Sequence, residues 1–167
     1  MIYNIKQFDE GKQVGTIYHF TNTYFEVVDD FVNMTKDIIL NGLKSPYYDY
    51  ISFTRYYDLQ EPGYGSWGPQ RYVVDGTKLS DQYKIQPSSF NLQGRVDEYE
   101  EKIDWPKGKH LDISKALMEV NHVFPSKKIL QENLLMAIEI LRNDLPSYTF
   151  NVVKEYMPYR RQKYIDL

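Results

Sequence analysis

The sequence predicts an α+β domain, and three observations carry that expectation. A β-type apolar run at residues 14–20 leads directly into a stretch with helical periodicity. The middle of the chain is a series of short aromatic and β-branched runs separated by Gly and Pro clusters, and the last third returns to helical spacing. A length of 167 residues suits one domain with a real core. No internal repeat, low-complexity segment or linker composition divides it, so residues 1–167 read as a single domain.

Taken in order, residues 1–14 are polar with scattered apolar positions, an edge strand or a lead. The strand at 14–20 ends on His19 and Phe20. Thr23-Tyr-Phe-Glu26 then has capping-box spacing, with Thr23 accepting from a first-turn amide and Glu26 reaching back. Phe25, Val28, Phe31 or Val32, Thr35 and Ile38 or Ile39 follow as one helical stripe, which Asn41-Gly42 ends. Residues 48–54 alternate as a strand, and Leu59-Gln-Glu-Pro-Gly-Tyr-Gly-Ser-Trp-Gly-Pro-Gln70 is a loop. A short strand at 71–75 closes at Gly76-Thr77. A turn or short helix and a strand fit residues 78–87, and 88–94 form a loop. The charged stretch 95–103 offers Val96, Tyr99 and Ile103 as apolar contacts. After the Trp105-Pro106-Lys-Gly108 turn, 111–116 are short and helical or irregular, and 117–124 alternate as a strand. Pro125-Ser126 starts an amphipathic helix with Ile129 or Leu130, Asn133 or Leu134, Ala137 or Ile138 and Leu141 inward. Beyond Pro146 a weaker helix is expected over 148–157.

Composition narrows the function classes. Hydrophobic residues at 42% and charged residues at 26% are ordinary for a globular protein, whereas 16 Tyr, 8 Phe and 2 Trp are many, suiting half-buried strands and planar ligands. No cysteine is present, which removes disulfide and thiolate chemistry and fits a reducing, cytoplasmic setting. The N-terminus lacks a signal-peptide pattern, and no run reaches the roughly 18 apolar residues of a membrane span. With 20 Lys+Arg against 23 Asp+Glu the net charge is −3, unlike a general nucleic-acid binder; the compact basic run is Tyr159-Arg-Arg-Gln-Lys-Tyr164. No His/Asp/Glu cluster has metal-ligand spacing, so no metal is expected, and no phosphate-loop motif occurs. His110 lies in a Lys-rich loop and His122 on an apolar strand, where a structural role is the ordinary one.

Chemistry concentrates in three stretches. His19 ends the first strand. Ser52 and Thr54, two apart in a strand, share a face and are followed by Arg55, an arrangement able to bond a ribose or phosphate. In Asp97-Glu-Tyr-Glu-Glu-Lys-Ile103 an extended chain puts Glu98 and Glu100 on one face, as glycoside chemistry requires. On pattern alone the same residues fit the polar face of an edge strand and a solvated acidic turn.

In their order, Tyr18-His19-Phe20-Thr21, Tyr50-Ile-Ser-Phe-Thr-Arg55 and Asp97-Glu-Tyr-Glu-Glu-Lys-Ile103 together resemble the mono-ADP-ribosyltransferase fold family. The segment from Arg71 to Ile85 looks like small bacterial and phage members of it. The resemblance covers about residues 14–124 and implies a split β-sheet core there, with residues 125–167 as a C-terminal helical extension. It implies NAD as substrate and a macromolecular acceptor, protein or nucleic acid, in a toxin, a defence factor or a phage-encoded host modifier. By the resemblance His19, with Thr21 beside it, matches the adenosine-ribose anchor. Ser52, supported by Thr54, matches the strand motif bracing the catalytic glutamate. Glu100 matches that glutamate, with Glu101 as the alternative one register away, and Glu98 the upstream acid that engages the acceptor. Arg55 suits the diphosphate, and Tyr56, Tyr57, Tyr64 or Trp67 a stacking face for nicotinamide. The branch with Ser-x-Thr and Glu-x-Glu usually begins with Arg where this chain has His19, and the His branch usually carries Tyr where this chain has Ser52. The acceptor type is therefore open. A catalytically silent nucleotide- or protein-binding member of the fold, or a Tyr-rich interaction domain, is the competing expectation.

Overall fold

The computed structural model describes residues 15–21, 28–54, 70–87, 100–123, 128–149 and 152–156. Their elements are β1 (Thr16–Thr21), α1 (Val28–Asn41), β2 (Tyr50–Thr54), β3 (Gln70–Asp75), α2 (Gly76–Ser80), β4 (Gln86–Pro87), β5 (Glu100–Asp104), β6 (Leu117–Val123), α3 (Lys128–Asp144) and β7 (Val153–Tyr156). The fold is α+β. One sheet runs in the order β4-β5-β2-β1-β3-β6-β7; the first six strands of that order pair antiparallel, and β7 joins β6 in parallel.

The pairing is uneven. β1 meets β3 along its whole length, from Thr16↔Asp75 to Thr21↔Gln70, and β2 meets β5 from Tyr50↔Asp104 to Thr54↔Glu100. Among the described residues β1 and β2 pair at Tyr18↔Thr54 and no further toward Thr21 and Tyr50. The strands described thus form one hydrogen-bonded sheet rather than two, with a seam between β1 and β2.

The α1 stripe forms as its periodicity requires: Phe31, Val32, Thr35, Ile38 and Ile39 are buried. They join Ile17, Ile51, Phe53, Tyr72, Val74, Ile103 and Val120 from alternate strand positions in one core. Within that core Gln70 donates to Thr35 Oγ1 (2.6 Å), Thr35 donates to the Phe31 carbonyl (2.8 Å), and the Tyr72 hydroxyl donates to Gln70 (3.3 Å). The network ties β3 to α1 with its polar groups satisfied. Gly42 ends the helix at φ 110, where Leu43 exchanges backbone bonds with Leu111. Asp75 caps α2 by accepting from the amides of Thr77 and Lys78, so the expected closing turn at Gly76-Thr77 is a short helix.

α3 packs on α1 and sends Ala137, Ile138 and Leu141 into the core. The helix expected over 148–157 is not formed. Ser147–Thr149 make a single 3₁₀ turn and β7 follows, the Val120 amide donating to the Val152 carbonyl at 2.6 Å. The edge of β6 gives Val152 and Val153 an extended pairing that suits β-branched residues better than a helix. No helix among the described residues is long and apolar enough to cross a membrane.

Candidate functional site

The seam between β1 and β2 holds the chemistry. Period-two alternation and the Thr54↔Glu100 and Ser52↔Lys102 register put Ser52, Thr54, Glu100 and Lys102 on one face. Ser52 Oγ lies 2.5 Å from Glu100 Oε1 and donates to it, a charge-assisted bond between neighbouring strands. Glu101, the alternative glutamate, pairs across from Phe53 on the other side of β5 and is buried. Glu100 is therefore the carboxylate that meets Ser52.

His19 enters the same seam from β1. Its Nδ1 lies 2.8 Å from the Ser52 carbonyl oxygen. A carbonyl only accepts, so the neutral ring carries its proton on Nδ1 and leaves Nε2 as an acceptor. Burial pushes the imidazole below its ordinary value, against the opposing effect of the Ser52 bond, which keeps the ring neutral near pH 7. Phe53 meets its edge with centroids 5.8 Å apart, and Tyr72 lies tilted at 6.4 Å. A backbone oxygen of β2 at the seam is thus satisfied by a side chain of β1.

Around these groups Tyr18, His19, Phe20, Ser52, Phe53, Thr54 and Glu100 line one open pocket with a volume of about 60 Å³. That is a shallow recess well below the size of an ordinary ligand pocket, enough to seat a few polar atoms against the carboxylate and the imidazole. The arrangement supplies an acceptor nitrogen, a braced carboxylate and aromatic walls. Phe53, on the core face of β2, is both core and pocket wall.

Of the residues singled out by sequence, the structure brings His19, Ser52, Thr54 and Glu100 together. Thr21 is not in the pocket wall. It is buried opposite Gln70, with no hydrogen-bond partner for its Oγ1 among the described residues. Arg55, Tyr56, Tyr57, Tyr64, Trp67, Glu98 and the Thr23–Glu26 cap lie outside the described residues. Sequence reasoning passed over Tyr50 and Lys102. The available signal was their spacing, each two positions from a chosen residue and hence on its face.

His110 sits on the Asp37 carboxylate at 3.0 Å, a structural contact between α1 and the loop after β5. Burial raises Asp37, but bonds from His110, Asn41 and Lys44 outweigh it and hold the carboxyl at about 2. Among the described residues no three His, Asp or Glu side chains gather as a metal site. Compared with protein-family models, curated proteins and solved structures, the chain matches none.

Proposed function

We propose that this chain is an NAD-dependent mono-ADP-ribosyltransferase that modifies a macromolecule in the cytoplasm of a bacterium or an infected host cell. The observation that carries the reading is the Ser52–Glu100 bond beside a neutral His19 in one pocket at a strand seam.

In this reading His19 Nε2 accepts a hydroxyl of the adenosine ribose. Ser52 fixes Glu100 through Oε1 and leaves Oε2 for a hydroxyl of the nicotinamide ribose. NAD supplies the chemistry of a glycosidic bond that breaks with nicotinamide taking the electron pair. Glu100 stabilises the positive charge developing on the ribose, in a partly enclosed site where a carboxylate acts strongly. An acceptor oxygen or nitrogen then bonds to the anomeric carbon, its proton passing to a base, the role the resemblance gives Glu98. The net charge of −3 favours a protein acceptor over a nucleic acid.

Nicotinamide release from NAD tests the proposal. Glu100→Gln should lower it by about 100-fold or more with the fold intact. Unchanged turnover in that variant, or no thermal stabilisation of the wild-type protein by NAD, overturns the reading.

A further inference from the structure

The geometry points to Lys102 as a positioning residue for Glu100, with Tyr50 holding Lys102 in turn; the inference rests on the role proposed for Glu100. Tyr50, Ser52, Glu100 and Lys102 share one face of β2 and β5. Lys102 Nζ stands 3.7 Å from Glu100 Oε2 and 4.1 Å from the centroid of the Tyr50 ring. Tyr50 stacks on Tyr48 at 5.1 Å, so the lysine rests on a supported aromatic face.

Glu100 is therefore held at both oxygens, by a hydroxyl on Oε1 and by a cation near Oε2. The two contacts differ in kind. At 2.5 Å Ser52 occupies Oε1, whereas 3.7 Å is too long for a hydrogen bond and acts through charge alone. Lys102 thus sets the plane of the carboxylate and leaves Oε2 able to accept a substrate hydroxyl. The side chains are 13% exposed for Glu100 and 26% for Lys102, so the pair is screened less than one on open surface.

Substitution at Lys102 separates this role from a structural one. Lys102→Met should lower kcat for nicotinamide release about tenfold and leave KM for NAD within about twofold, while Lys102→Arg restores most of the rate. In the ligand-free protein the ¹³C resonance of the Glu100 carboxyl carbon should move on Lys102→Met and return on Lys102→Arg. Tyr50→Leu should act in the same sense as Lys102→Met, and Tyr50→Phe should change little. An unmoved carboxyl resonance, or equal losses in the Met and Arg variants, overturns the inference. A wild-type protein that turns over no NAD overturns the proposed function instead, and the carboxyl resonance still decides whether Lys102 holds Glu100.

Discussion

His19 shows how much a single side chain depends on its surroundings. Its residue type permits either charge state near neutral pH, and burial in the seam selects the neutral one. The folded value lies below the 6.5 of the free side chain, so between the two the unfolded chain binds the proton more readily. The resulting stability is fully present above pH 6.5 and is lost as pH falls through the folded value. Thermal melts at pH 7.5 and 5.5 should differ for the wild type, and the difference should shrink in His19→Gln; an equal drop in both would exclude His19 as its source. Ser52→Ala leaves Glu100 without its hydroxyl donor and should reduce nicotinamide release about tenfold, less than Glu100→Gln, in the same assay. The pairing of Ser52 with Glu100 was within reach of the sequence, because each lies on the predicted face of a strand. The imidazole tautomer was not, since a carbonyl 33 positions away sets it.

At the scale of elements, local signals were strongest where the chain is punctuated. The α1 stripe and its Gly42 stop were legible because they require periodicity and a residue tolerant of positive φ. The packing around Gly42 is stricter than its helix-ending role demands: a Cβ there would meet the Leu111 carbonyl oxygen at 2.0 Å. Gly42→Ala should therefore cost more than about 3 kcal/mol in urea unfolding, combining backbone strain with loss of the Leu43–Leu111 bridge. A loss below about 1 kcal/mol would mean that the two loops part easily. Residues 148–157 were misjudged for the opposite reason. Their weak helical pattern competes with pairing to the edge of β6, and that edge is absent from any local window.

Across the whole molecule, the C-terminal elements belong to the same core as the sheet. Leu141 and Leu145 are buried in it, Lys36 of α1 pairs with Asp144 of α3, and β7 lies along β6. A chain ending at residue 124 would expose the α1 surface that α3 covers and leave β6 unpaired on one side. It should show no cooperative thermal transition by circular dichroism, whereas the full chain should melt in one step. A sharp transition in the shorter chain would make residues 14–124 an independent unit.

By itself the sequence determined the α+β class, the first helix, most strand positions and the polar residues spaced to share a face, since each follows from periodicity and punctuation over a few positions. Only the tertiary structure decided that the described part of β1 stops pairing with β2 beyond Tyr18↔Thr54 toward Thr21, that His19 turns its ring to a β2 carbonyl, and that Glu100 rather than Glu101 reaches Ser52. The physical reason is strand register. A shift of one residue reverses every side chain on a strand, and register is set by pairing between segments far apart in the chain.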